Sequence, residues 1–407
     1  MVDAVSRLDT VPVRTPDGST SGTANASSAT VQVMDHGALR TYRALCEDAR
    51  FGAAQSPIWV SAFADNPDSD MIVVIASRAG RPVLAMALEV VKSGMFRIAR
   101  FPGGRHANGN FPVVMSGSIA TFPKDFAAEL LTAIAQARSD IDALALERQL
   151  RQIDGVANPL LGWSVGASPN IALACNLAGG FDAVLQRMNS KRKRKKHRAQ
   201  MRKYEDAGGY AIVDAQTPQQ VDTVLKEFFS LRAARFASQG IADSFADPSV
   251  RASLRKLFVD SLADPARPFR LAALEVGGVI RAVTGTSRRR GTVVCEFGAI
   301  RSDELAATSP GDFLFFEEIS KACQEGYDVY DFSIGDEPYK RTWCDIETTQ
   351  FDALVPLTTK GRVFVAGHRA ATGVKRAIKR NAFLWLLAKK VRGLAGAKLA
   401  KSSPISE

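Results

Sequence analysis

Histidine is scarce, cysteine is unpaired and long apolar runs are missing, and each shortage removes a class of protein. Four histidines (His36, His106, His197 and His368) are spread over 407 residues. Neither His36 nor His368 has a metal-like partner four residues on, so no metal site is expected. His197 sits in a run of charge and is expected to be exposed. The five cysteines, Cys46, Cys175, Cys295, Cys323 and Cys344, form no C-x-x-C pair. That argues against zinc and against a disulfide framework, and it fits a reducing cytoplasm. Cys295 and Cys344 read as packed thiols, since no histidine stands in a suggestive place beside them. No stretch approaches the roughly 20 apolar residues of a spanning helix. The first 30 residues lack the apolar run of a secretory leader, and none is expected.

What is present is a soluble globular composition, 46% hydrophobic and 23% charged. The length exceeds one ordinary core and predicts two domains with tails. The net charge of +11 is unevenly spread. Residues 191–203 hold nine Lys/Arg, and residues 360–401 hold twelve with no acid. The rest of the chain has 32 basic against 42 acidic residues, so two basic segments lie on an acidic body.

Apolar periodicity divides the chain. Residues 1–30, rich in Ser, Thr, Ala and Gly, read as a flexible tail. Strands are expected at 71–76, 82–91 and 95–101, then a Gly-rich loop at 102–110, a helix at 126–137 and a strand at 141–146. A second unit repeats this order: helices at 221–237 and 250–262, then strands at 269–276, 279–286 and 292–300. Gly80 turns the first hairpin, and Gly277 with Gly278 turns the second. This is a weak internal repeat of one α/β unit. The segment 181–204 between the copies has helical spacing and reads as a link. The expected division is a tail (1–30), an N-terminal domain (31–178), a basic linking helix (179–205), a C-terminal domain (206–360) and a basic amphipathic tail (361–407).

The clearest local signal lies in the second unit. Ser309, Pro310, Gly311 and Asp312 open a helix, with Ser309 as cap and Asp312 closing a box with it. Phe313, Phe316, Ile319 and Cys323 form its apolar face, and Gly326 ends it. A short strand at 327–332 follows. Its end carries Asp331, and beyond it stand Ser333, Gly335, Asp336, Glu337, Tyr339, Lys340, Arg341 and Trp343. Ionisable groups just beyond a strand's C-terminal edge are a common place for α/β sites. The helix start itself offers an anion site for a phosphate-bearing donor.

Ser309, Pro310, Gly311, Asp331, Phe332, Gly335, Asp336, Glu337, Tyr339, Lys340 and Trp343 together resemble the signature of the CelD-type acetyltransferases of polysaccharide synthesis. That family belongs to the GNAT superfamily and is related to the FemAB-type aminoacyltransferases, which pair two GNAT-like units. The likeness is strong over about 35 residues and looser over roughly 180–360. It implies two tandem GNAT-like α/β units with a mixed sheet. It also implies acetyl-CoA as donor, held by Ile300, Ser309, Gly311 and Asp331. GNAT enzymes usually carry a Gln/Arg-x-x-Gly-x-Gly/Ala loop for the diphosphate. Here Pro310 removes an N–H donor, and Asp312 would repel a diphosphate.

The expected chemistry is direct acyl transfer to an amine or hydroxyl, in a sugar or polysaccharide precursor by resemblance. Asp336 or Glu337 would take the acceptor's proton, Tyr339 would protonate the leaving thiolate, and Lys340 would stabilise negative charge. Arg105, His106, Asn108 and Asn110 in the Gly-rich loop, with Trp343, are the candidate acceptor contacts. Two other readings stay open: a FemAB-like aminoacyltransferase using charged tRNA, and a non-catalytic GNAT-like scaffold at the membrane. The stretch 375–392 mixes Phe383, Leu384 and Trp385 with cations, as does a helix in an anionic membrane interface. A cytoplasmic protein, peripheral at the inner membrane face, is the corresponding expectation.

Overall fold

The structure, a computed structural model, describes residues 27–117, 124–163 and 165–380. The N-terminal unit runs β1 (Ser27–Val33), α1 (His36–Cys46), β2 (Ala49–Arg50), α2 (Pro57–Ala64), β3 (Met71–Arg78), β4 (Arg81–Ser93), β5 (Phe96–Arg100), β6 (Val113–Met115), α3 (Lys124–Ala137) and β7 (Ala143–Gln149). A small hairpin, β8 (Gln152–Ile153) with β9 (Val156–Ala157), precedes β10 (Val165–Asn176). Helices α4 (Gly180–Arg187) and α5 (Ser190–Asp206) lead to the second unit. That unit runs β11 (Tyr210–Asp214), α6 (Pro218–Ser238), α7 (Pro248–Ala263), β12 (Phe269–Val276), β13 (Val279–Arg289), β14 (Thr292–Ile300), α8 (Pro310–Gln324), β15 (Val329–Ile334), α9 (Pro338–Arg341) and β16 (Ile346–Pro356). Helix α10 (Thr359–Arg380) follows.

The two units share one topology. Neighbouring strands run β1-β3-β4-β5-β7 in the first and β11-β12-β13-β14-β15 in the second. In each, the first three pairings are antiparallel and the last is parallel. Each has two helices after its first strand and one helix before its parallel strand. The hairpin repeat seen in the sequence is thus one part of a whole-unit repeat. The units also exchange their last strands. β10 pairs with β15 of the second unit, β16 pairs with β7 of the first, and β10 and β16 pair with each other. One mixed sheet therefore runs through both units.

Strand alternation sets the two faces of that sheet. In β3, Met71, Val73 and Ile75 enter one core, and Ile72, Val74 and Ala76 enter another with Phe126, Leu130 and Ile134 of α3. The first core is common to both units. Trp59 of α2 lies 5.8 Å from Phe269 of β12, and both are buried with Tyr42, Phe228 and Phe258. Truncating an aromatic there costs about 3–5 kcal/mol. Helix starts follow local chemistry: α2, α6 and α7 each open with Pro behind a capping Ser56, Thr217 or Asp247.

The structure corrects three local expectations. Residues 27–30, expected in the tail, are strand, paired to β3 from Ser27 opposite Arg78. The segment 181–204 is two helices rather than one, broken at Asn189, whose φ of 66° is left-handed. Ser309 does not cap α8: its own φ is 61° and its side chain makes no cap bond. Residues 1–26 of the tail, and everything after Arg380, lie outside the described residues. So does most of the stretch 375–392. Among the described residues no helix is long and apolar enough to cross a membrane.

Candidate active site

The parallel pairing of β14 with β15 is short. It runs from Thr292 opposite Val329 to Val294 opposite Asp331 and then stops. Beyond it the strands part, with Glu296 to Ile300 on one side and Phe332 to Ile334 on the other. Ser333 (φ 62°) and Gly335 (φ 120°) turn β15 away. The Asp331 carboxylate accepts from Ser333 N–H at 2.7 Å and fixes that turn. The opening is a cavity of about 1020 Å³. Both units wall it: the Gly-rich loop from the first, and α5, α6, β14, the start of α8 and α9 from the second.

Glu296 is the carboxylate in this cavity that the sequence reading missed. It accepts from Ser287 Oγ at 2.6 Å and from Asn108 Nδ2 at 3.3 Å. Burial pushes its carboxyl up to about 7, and the nearby Asp331 adds to this, against the two hydrogen bonds and Arg289. A carboxylate poised near neutrality is what proton abstraction needs. The sequence carried one signal for it: an acid inside an otherwise apolar strand, flanked by Cys295 and Phe297.

Tyr339 also lines the cavity, with its ring stacked on Phe315 at 5.7 Å. Although 45% of the residue is exposed, desolvation within the cavity pushes its phenol up, and it stays protonated at neutral pH. Lys340 lines the cavity too, but only 4% of it is exposed, and its ammonium is engaged by the Ile334 carbonyl (2.7 Å) and Glu337 (3.0 Å). It ties α9 to the end of β15. Asp336 and Glu337 do not line the cavity. Asp336 faces solvent and pairs with Arg341 at 2.5 Å. The reason is geometric: β15 turns at Ser333 and Gly335, so the acids that follow project outward. Trp343 is fully buried and also absent from the lining. Its indole donates to Asp312 at 2.8 Å, and Lys193 lies 3.3 Å above the ring.

The start of α8 differs from expectation in a way that matters for a phosphate. Ser309, Gly311 and Ile300 line the cavity, and Asp331 does not. A Cβ on Gly311 would stand 2.9 Å from Ile300, so glycine lets the helix approach β14. Asp312 turns toward α5, where it pairs with Lys196 (2.8 Å) and Lys193 (3.5 Å). Burial opposes its charge, but those lysines and Trp343 hold the carboxyl below its usual range. Burial also pulls Lys193 down to about 8. The acid expected to repel a diphosphate is therefore neutralised, and Arg192, Lys193 and Lys196 line the cavity beside it. Gln200 and Tyr204 of α5, both buried, hold the preceding turn through Thr308. His197, expected to be exposed, is stacked on Phe313 and Phe316 and lies 2.6 Å from Glu317.

From the Gly-rich loop, Arg105, His106 and Asn108 line the cavity. Asn110 does not: it is buried and donates to the Glu147 carbonyl at 2.8 Å. The loop is seated by Gly103 (φ 84°), where a Cβ would meet the Trp59 ring at 2.9 Å. Among the described residues no cluster of His, Cys, Asp or Glu is grouped to hold a metal ion.

Residues 191–341, which contain α5, the splayed strands and α8, match the family model described as acetyltransferase (GNAT) domain. The chain carries a GNAT acyltransferase domain. It is an acyltransferase, and a GNAT domain in general takes acyl-CoA. No curated protein sequence matches the chain. Among solved structures it is similar to FemX at 10% identity, covering 80% of this chain and 97% of that one, with a TM-score of 0.55. It is also similar to L-PGS from Bacillus licheniformis, at 13% identity, 85% and 97% coverage and a TM-score of 0.49. A tandem GNAT protein from the clavulanic acid biosynthesis pathway follows at 12%, 82% and 99%, with a TM-score of 0.45. The likeness to FemX is one of fold, and it agrees with two GNAT units in tandem.

Proposed function

We propose that this chain transfers an acetyl group from acetyl-CoA to an amine or hydroxyl, with Glu296 as general base. The carrying observation is the position of Glu296, at the mouth of the splayed β14 and β15, with its carboxyl poised at about 7. In this reading the acceptor enters beside Asn108 and gives its proton to Glu296. The acceptor's nitrogen or oxygen bonds to the thioester carbonyl carbon, and the carbon–sulfur bond breaks. Tyr339 gives its proton to the departing thiolate. Products are the acylated acceptor and free CoA; solvent returns the proton from Glu296 to Tyr339. The donor's phosphates fit the wall of Arg192, Lys193 and Lys196 at the start of α8, where the cations stand in for the backbone N–H that Pro310 lacks. CelD-type membership and a polysaccharide precursor as acceptor belong to the same proposal and rest on the motif from Ser309 to Trp343.

Thermal unfolding with acetyl-CoA tests it. At about 100 times its dissociation constant the ligand adds roughly 2.7 kcal/mol of stability. Absence of any stabilisation, together with salt-dependent binding of charged tRNA through α5, would replace this reading with aminoacyl transfer.

A further inference from the structure

The cavity has a second cationic wall that the donor does not account for. It borders Asn108 through Arg148, and it combines both units. Arg105 and Arg148 come from the first unit, and Arg232 and Arg235 come from α6. Arg232 is matched by Asp243 at 3.1 Å. No acid lies in salt-bridge range of Arg105, Arg148 or Arg235 among the described residues.

Arg148 is held in place at some cost. Its φ of 56° is left-handed, which a side chain with Cβ adopts only when its surroundings impose it. Asp352 accepts from its backbone N–H at 2.8 Å, and Asn110 N–H donates to its carbonyl at 2.9 Å. The guanidinium that results donates to the Arg105 carbonyl (2.6 Å) and to Asn108 Oδ1 (3.3 Å). Asn108 is the residue that reaches Glu296. The wall's field is felt at two other cavity groups. Burial, with Arg232, Arg105, Arg100 and Arg148, takes His106 down to about 4, so it adds no charge. Arg235 acts on the Tyr339 phenol from α6.

We propose that the acceptor carries a phosphate-type group, seated on Arg105, Arg148 and Arg235, with Asn108 standing between Arg148 and Glu296. Three guanidinium groups without a salt-bridge partner line this cavity, Arg148 feeling Glu147 and Asp352 only from beyond that range, and their forked donors suit tetrahedral oxyanions. Seated there, the anion holds the acceptor's nucleophile beside the base and inside the reach of the thioester. This rests on the donor lying along α5 and α8, which leaves the Asn108 wall to the acceptor.

The test is calorimetric titration of the full chain with inorganic pyrophosphate while CoA is held saturating. Pyrophosphate is expected to bind the wild type, and to bind R105A/R235A at least tenfold more weakly. Both arginines are exposed, so the double variant folds, and CoA is expected to bind it as it binds the wild type. A parallel titration with succinate separates phosphate from carboxylate. Succinate binding as tight as pyrophosphate overturns the phosphate assignment. No pyrophosphate binding by the wild type, or binding that R105A/R235A leaves unchanged, overturns the subsite. If CoA itself fails to bind but pyrophosphate stays sensitive to R105A/R235A, the donor reading falls and the anion subsite stands.

Discussion

The side-chain amide of Asn108 stands 3.3 Å from Glu296 Oε2, across 188 residues of chain. A loop of the first unit thus touches the proposed base in the second, and in this reading the site draws on both. Asn108 favours the charged form of Glu296. Asn108→Ala is therefore expected to move that carboxyl further up. The acid limb of kcat/KM should shift to higher pH with its slope kept, and an unshifted limb would deny the contact a role.

Glu296 also predicts a pH-dependent stability. Its ordinary value is 4.5 and its folded value about 7, so the folded state holds the proton more tightly. The stability this gives is present in full below about pH 4.5 and is lost as pH rises through 7. Above that, the buried charge costs roughly 3 kcal/mol relative to a neutral side chain. Glu296→Gln should raise the melting temperature at pH 8 and leave it nearly unchanged at pH 4.5. Equal shifts at both values would show a purely structural effect.

Tyr339 is protonated at neutral pH, with desolvation in the cavity holding its phenol above the ordinary value. Tyr339→Phe should lower kcat by roughly 10² with little change in KM, since the hydroxyl acts on the leaving group. The ring's stacking on Phe315 survives that change, so loss of fold is not the expected cause.

Asp336→Ala separates the two candidate bases. Asp336 is exposed and, among the described residues, forms its salt bridge with Arg341, so turnover should be unchanged. Trp343→Ala should instead cost about 3–5 kcal/mol, because the ring is fully buried and links α8 to α5 through Asp312 and Lys193. Chemical denaturation of both variants checks this. Turnover lost in Asp336→Ala would return the role of base to the loop after β15.

Much of this was legible in the sequence because it was local. The hairpins around Gly80 and Gly277-Gly278, the helix opened by Pro310 and the tandem order follow from periodicity and turn chemistry. The motif from Ser309 to Trp343 located the acyltransferase domain. What escaped depended on the third dimension. Asp336 and Glu337 follow a strand in sequence, but left-handed Ser333 and Gly335 turn them outward. Glu296 sits in an apolar strand and gains its raised carboxyl only through burial in the folded cavity, where Asn108 and Ser287 hold it. Asp312 looked hostile to a phosphate until α5 brought Lys193 and Lys196 against it. The exchange of β10 and β16 joins segments far apart in the chain, which no local pattern carries.

The central claim is that Glu296 drives acyl transfer from acetyl-CoA. The direct measurement is thiol release from acetyl-CoA as a function of pH, with a panel of amine and hydroxyl acceptors, by the full chain and by Glu296→Gln. The expected wild-type rate rises about tenfold per pH unit below roughly 7 and levels off above it, and Glu296→Gln loses that limb along with most of its rate. No thiol release by the wild type at any pH, or the same limb retained by Glu296→Gln, would contradict the account.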